Sequence, residues 1–334
     1  MKRAAIIGCG DVSSVHFEAI RSLKDIELVA VCDTDAGRLK EASASHSIVG
    51  FSDVQEMIAQ TKPDVVHVCT PHDQHARIAI QCLEQGIHVL TEKPLAHTRL
   101  AAQQLLEAER ESTAKLGVCF QNRYNPTSQT LHRVLREERY GRVLGASATV
   151  LWHRTADYYL NRPWRGSWSG GGGGLLMNQA IHTVDLLQWL IGEVQEVRGR
   201  ASTRSLGAVI EVEDTAEFAA THAGGASSVF FATLGHAHNA PVALEIVTET
   251  AVLSLEAELT VRHPDGRVEH LASNNSATSG RDYWGASHAL LIADFYASLD
   301  APEPFWINAS EAVKSLDVVK EIYRQSEYDF EISG

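Results

Sequence analysis

Ala4-Ala5-Ile6-Ile7-Gly8-Cys9-Gly10-Asp11-Val12-Ser13 reads as a short apolar strand, a glycine turn and the start of a helix. That context is the one in which Gly-x-Gly has a physical meaning. The first glycine permits a tight turn, the second lets the backbone come close to a pyrophosphate, and the helix N-terminus favours the negative charge. Ser13 stands where the full fingerprint has a third glycine. On this reading Gly8, Gly10, Asp11 and Val12 contact a dinucleotide.

The next apolar run ends at Asp33, 23 positions after Gly10. A carboxylate there can accept hydrogen bonds from ribose hydroxyls and repel a 2′-phosphate, so NAD is expected in preference to NADP. Arg38 lies close enough in sequence to moderate that preference. Further along, apolar β-branched runs at 4–8, 28–32, 65–69, 88–91 and 117–120 alternate with helical patterns at 13–22, 35–44, 53–60, 74–85 and 98–111. Strict alternation predicts a parallel sheet covered on both faces, with right-handed crossovers: a doubly wound α/β (Rossmann) domain over residues 1–121.

Beyond residue 121 the pattern changes. One helix is expected at 126–138. Strands follow at 143–153, 194–203, 215–222, 226–233, 243–248, 252–255 and 259–263, with a helix at 178–190 between the first two. Two helices, 287–299 and 310–325, close the chain. Few helices separate the strands, so residues 122–334 should form an α+β domain around a large, mostly antiparallel open sheet. The run Gly170–Gly174 suggests close approach of the backbone to a ligand, or a mobile segment.

In a doubly wound sheet ligands bind at the C-terminal ends of the strands. Thr70-Pro71 ends one such strand and would sit under the cofactor. Glu92-Lys93-Pro94 ends the next, and an ammonium there can protonate or hydrogen-bond a substrate oxygen. In the second half, Asn178 and His182 are four residues apart and should share a helix face, with Asp185 placed to orient the histidine. A histidine titrates near neutral pH, as a proton-exchanging group must.

Composition narrows the alternatives. With 29 basic and 42 acidic residues the net charge is −13, which argues against a nucleic-acid surface. No apolar run reaches the roughly 18 to 20 residues of a membrane span. The first residues read as a strand rather than a signal peptide, so a cytoplasmic protein is expected. The five cysteines, all within the first 120 residues and without a CxxC, read as core residues rather than disulfides or metal ligands. The histidines lack metal-like local spacing, and no catalytic metal is expected.

Taken together, Gly8-x-Gly10, Thr70-Pro71-x-x-x-His75 and Gly86–Ala96 with its Glu92-Lys93-Pro94 resemble the glucose–fructose oxidoreductase / inositol dehydrogenase (Gfo/Idh/MocA) family. The resemblance runs on through Arg123-Tyr124-x-Pro126, Trp164-Arg165-Gly166, Asn178–Asp185 and Tyr283-Trp284-Gly285-x-x-His288, and so covers essentially the whole chain. It implies that Lys93 and His182 lie by the nicotinamide and exchange the hydroxyl proton. It implies cofactor contacts by Thr70, Pro71, His75, Glu92, Lys93, Trp164 and Arg165 besides the glycine turn, Asp33 and Arg38. Arg123, Tyr124, Asn178, Trp164, Arg165 and Tyr283 would bind substrate. Many members carry an aspartate where this chain has Asn178. An amide can orient a hydroxyl but does not titrate, so proton exchange falls to Lys93 and His182. The implied activity is hydride transfer between nicotinamide and the CH–OH or C=O of a sugar, cyclitol or sugar derivative. Two alternatives on the same scaffold are a glycoside hydrolase or lyase that uses NAD transiently, and a non-catalytic cofactor-binding sensor. An open sheet with one uncovered face further implies a homodimer or homotetramer.

Overall fold

The computed structural model describes residues 1–273 and 287–328. The described residues fall into two compact units. In the first, β1 (Lys2–Ile7), β2 (Ile26–Cys32), β3 (Val49–Phe51), β4 (Val65–Val68), β5 (His88–Thr91) and β6 (Leu116–Val118) form a sheet in the order 3-2-1-4-5-6. Every pair in it is parallel. Helices α1 (Ser13–Ser22), α2 (Ala36–His46), α3 (Val54–Thr61), α4 (His72–Leu83) and α5 (Arg99–Glu111) are the crossovers. Asp35, Asp53 and Thr98 cap α2, α3 and α5 through their side chains, which is why those helices begin where they do. The expected doubly wound domain is therefore present. β3 was not expected: it has three residues, a glycine at its centre, and too few side chains to show a period.

The expected division at residue 121 needs one correction. Residues 287–313 belong with the first unit rather than the second. Helix α10 (Ser287–Ser298) packs against α1, and the Phe295 ring fills the space beside Gly117, where a Cβ would come within 2.8 Å of it. The Val118 N–H donates to Ile307 O at 2.9 Å, and Lys115 Nζ donates to Glu303 O at 2.7 Å. Sequence order alone gives no sign of this return.

In the second unit, α6 (Pro126–Arg136) precedes β7 (Val143–Leu151), and then α7 (Ala156–Leu160), α8 (Trp168–Gly171) and α9 (Ile181–Ile191) follow. β8 (Val194–Ser202), β9 (Thr215–His222), β10 (Ser227–Thr233), β11 (Ala243–Thr248), β12 (Val252–Leu255), β13 (Glu258–Arg262) and β14 (Val268–Ser273) complete a sheet of order 14-13-12-11-7-10-9-8. All pairs are antiparallel except β7 with β10. Alternation along the strands puts Ala148, Val150, Phe218, Phe230, Leu244 and Ile246 in the core. The final helix, α11, spans Ala309–Gln325.

The glycine run is neither a ligand cradle nor a loose loop. Gly171–Gly174 are buried. A Cβ on Gly174 would collide with Glu213 O, and one on Gly173 (φ +150°) with the Tyr323 hydroxyl. The chain needs glycine because its own strand and helix come that close.

Candidate functional site

At the C-terminal edge of the parallel sheet, Gly8 adopts φ +93°, and a Cβ there would lie 2.6 Å from the Cys69 carbonyl. Glycine therefore lets the β1–α1 turn press against the end of β4. Around Gly10 a Cβ would meet nothing within 4 Å, so the backbone is open to approach. Ser13 replaces the third glycine without disturbing the turn, since its Oγ donates to Gly10 O at 2.7 Å. The first turn of α1 has no side-chain cap, and its Ser13 and Val15 N–H groups donate to Gly10 O and Val12 O, both at 3.2 Å.

Asp33 follows β2 and is buried. Its Oδ2 accepts the Cys9 N–H at 2.7 Å and its Oδ1 the Asp35 N–H at 2.8 Å. Arg38 closes on it at 3.2 and 3.3 Å. The arginine expected to moderate the cofactor preference pairs directly with this aspartate. Its side chain is 38% exposed, whereas that of Asp33 is 7% exposed. The donor set suits NAD: an open glycine turn, an uncapped helix start and a carboxylate at the second strand. Thr70 adds a buried Oγ1 with no hydrogen-bond partner among the described residues.

Two residues assigned to the cofactor are engaged elsewhere. His75 is fully buried, with Nδ1 2.8 Å from Pro94 O and Nε2 2.9 Å from Thr70 O. It ties the Thr70-Pro71 turn to the Lys93-Pro94 turn instead of touching a ligand. The Glu92 carboxylate points into the protein: Oε1 lies 3.1 Å from both His16 Nε2 and His288 Nε2. Burial alone raises its pKa, but the two imidazole hydrogen bonds outweigh it and hold the carboxyl well below the usual range. His16, Glu92 and His288 also form the one group of three metal-ligating side chains among the described residues. Lys93 is half-buried at the same edge.

In the second unit, a π turn at Leu176–Ala180 carries Asn178, and α9 carries the half-buried His182. Such π turns recur at functional sites. Asn178 Nδ2 and Gln179 Nε2 both donate to the Tyr158 hydroxyl at 3.1 Å. The guanidinium of Arg165 lies 4.3 Å from the Tyr158 ring centre and 5.6 Å from that of Trp164; Arg154 lies 5.1 Å from Tyr158. Tyr158 therefore joins Asn178 to the Trp164-Arg165 turn, a connection that spacing could not reveal. Tyr124 ends a short 3-10 turn. Tyr283 and Trp284 lie outside the described residues.

Arg123 and Asp185 require correction. Arg123 is only 2% exposed, and its guanidinium grips Asp185 through Nε–Oδ2 at 2.8 Å and Nη2–Oδ1 at 2.7 Å. Ser315 Oγ also donates to that carboxylate, at 3.3 Å. The pair is a buried brace that commits the Arg123 guanidinium to Asp185 rather than to a substrate. Sequence reasoning also missed Glu213. It receives N–H bonds from Gly174 and Leu176 at 2.8 and 2.7 Å and the Tyr323 hydroxyl at 2.7 Å, and so anchors the start of the Asn178 helix. Burial pushes its carboxyl up to about 7. A lone glutamate before a strand carries no signal of this.

Residues 2–120 match the GFO_IDH_MocA family, described as an oxidoreductase family with an NAD-binding Rossmann fold, and residues 128–254 match the GFO/IDH/MocA C-terminal domain. The WlbA dehydrogenase from Bordetella pertussis, solved in complex with NADH and UDP-GlcNAcA, is 30% identical with a TM-score of 0.84. The likeness covers 98% of this chain and 96% of that one. The D-apiose dehydrogenase of Paraburkholderia graminis is 28% identical over 233 residues, 68% of this chain but only 59% of that protein. The inositol 2-dehydrogenase of Rubrobacter xylanophilus is 29% identical over 258 residues, 75% of this chain and 70% of that protein.

Proposed function

This chain belongs to the GFO/IDH/MocA oxidoreductase family, and from that premise we propose that it is an NAD-dependent dehydrogenase or reductase of a sugar, cyclitol or sugar-derived CH–OH group. The observation that carries the reading is the meeting of three features at one sheet edge: the Gly8–Gly10 turn, the Asp33 carboxylate and Lys93. The relatives named as dehydrogenases of D-apiose and inositol support a polyhydroxylated substrate.

NAD, held by the glycine turn, the start of α1 and Asp33, supplies the hydride acceptor or donor when bound. The protein's own share is alignment and proton handling. Lys93 and His182 are assigned the exchange of the hydroxyl proton. Asn178, fixed by Tyr158, orients a neighbouring hydroxyl without titrating. Trp164 and Arg165 contribute to cofactor and substrate contacts from their turn.

NADH formation, followed by absorbance with NAD and NADP against sugars, inositols and sugar acids, tests the reading. Turnover with a polyol and NAD is expected; a tenfold or greater preference for NADP would defeat the cofactor assignment. Lys93→Met should lower turnover by orders of magnitude while NAD still binds, and unchanged turnover would remove Lys93 from the chemistry.

We also assign the protein to the cytoplasm and to a homodimer or homotetramer. Its five cysteines are all free thiols. No helix among the described residues is long and apolar enough to cross a membrane. The outward face of the second unit's sheet exposes Val229 and Phe231 on β10 and Val247 on β11.

A further inference from the structure

Arg154 follows β7 in the second unit and is held in place by its neighbours. Its guanidinium carbon lies 5.1 Å from the Trp152 ring centre and 5.1 Å from that of Tyr158. Its Nη1 donates to Asn239 Oδ1 at 2.9 Å and to His153 O at 2.8 Å. Trp152 is fixed in turn by its Nε1–H, which donates to Ala240 O at 3.1 Å. What the guanidinium lacks is a counter-charge. Among the described residues no carboxylate lies within ion-pair distance of it, and its Nε is buried without a partner. The chain carries 42 acidic residues against 29 basic ones, so acids to pair with are plentiful. A half-buried cation that its own fold leaves unpaired is unfavourable. A planar fork with open N–H groups is the shape that recognises a carboxylate or a phosphate.

Tyr158 adds an open donor beside it. Its hydroxyl accepts Asn178 Nδ2 and Gln179 Nε2, both at 3.1 Å, which fills its two lone pairs. Its own proton then finds no acceptor among the described residues. Gln179 is 7% exposed, and its Oε1 is buried without a partner. Turning that amide end for end would satisfy the hydroxyl proton but strand Nε2 where Oε1 now lies, so a buried donor stays open in either arrangement. We propose that Arg154 and Tyr158 receive an anionic group on the substrate, so that the polyol taken is a sugar acid or a sugar phosphate rather than a neutral sugar. The inference rests on the dehydrogenase reading and on Asn178 as the residue that orients a substrate hydroxyl. Tyr158 touches both Arg154 and Asn178, which places the anionic group within a ring's length of that hydroxyl.

The test uses matched sets: glucose with glucuronate and glucose-6-phosphate, and galactose with galacturonate and galactose-6-phosphate, each with NAD at constant ionic strength. The expected result is a kcat/KM at least about tenfold higher for the acid or the phosphate than for its neutral parent, and the two arms tell carboxylate from phosphate. Arg154→Met should shrink that ratio at least about tenfold, mainly through KM, and Arg154→Lys, which restores a charge, should recover part of it. A neutral parent turned over as well as its anions, or a ratio that Arg154→Met leaves unchanged, overturns the proposal. A second readout, on the wild-type chain, needs neither turnover nor a folded variant. It is the rate at which an arginine-selective dicarbonyl reagent modifies Arg154 in the NADH-loaded protein, read by peptide mass spectrometry. The acids or the phosphates should slow it at least about threefold relative to the neutral sugars, and equal rates with all of them overturn the anion site. Protection of Arg154 without NADH formation from any of these sugars leaves the anion site standing and counts against the dehydrogenase reading. Turnover confined to neutral sugars removes the anion site alone.

Discussion

Single residues divide into those that leave the backbone open and those that brace the protein. Gly10 is of the first kind. Its backbone is not in the left-handed region and an added Cβ would meet nothing within 4 Å. Gly10→Ala should therefore fold with wild-type stability yet bind NAD at least about tenfold more weakly, because the methyl stands where backbone meets pyrophosphate. Calorimetric titration beside a melting curve checks this, and unchanged NAD affinity would exclude Gly10 from the phosphate turn. Arg123 and Asp185 are of the second kind. Losing one partner of a buried ion pair leaves the other charge uncompensated, at a cost of about 3–5 kcal/mol. Asp185→Ala should lose that much in urea unfolding, and a loss below about 1 kcal/mol would contradict the brace. The motif Arg123-Tyr124-x-Pro126 was legible as a family feature; its arginine's partner was not, because the two residues are 62 apart in sequence.

Among elements, the segment from Gly173 into α9 shows how a helix is set by something distant. Glu213 and Tyr323 hold its start, although neither is near it in sequence. The Glu213 carboxyl stands at about 7 when folded against an ordinary 4.5. A folded value raised above the unfolded one means that the folded chain binds more protons between them. Its contribution to stability is therefore full below pH about 4.5 and is lost as pH rises through about 7. Glu109, also raised to about 7 by burial, adds a slope of the same sign, so the difference between wild type and Glu213→Gln is the informative quantity. Chemical unfolding across that range should show the wild type losing stability relative to Glu213→Gln as pH rises; a flat difference would show that Glu213 does not titrate there. The helix itself was legible from residue 178 onward, but its π turn was not, since apolar periodicity does not distinguish it from ordinary helix.

At the scale of the whole molecule, the second unit's sheet puts an apolar patch in water. Val229 is 55% exposed and Phe231 38% exposed, two positions apart on β10 and so on one face. β10 pairs with β7, and β7 with β11, which brings Val247 to the same side. The surrounding Ser147, Thr149 and Glu217 make the face mixed rather than wholly apolar. Light scattering should give the mass of a dimer or tetramer, and Phe231→Glu should shift it toward the monomer. A monomeric wild type would refute the assembly.

The sequence by itself determined the layering of both units and the local turns at the sheet edge. Strand and helix periods, the Gly8-x-Gly10 turn and Glu92-Lys93-Pro94 are local, and local backbone sterics and burial dictate them. The tertiary structure alone decided which polar groups meet. It sent Glu92 to His16 and His288, gave Arg123 to Asp185 and anchored the glycine run on Glu213. It also returned residues 287–313 to the first unit. The physical reason is that a buried polar group must find a partner at hydrogen-bond distance, and folding supplies that partner from any distance along the chain, where no period or spacing records it.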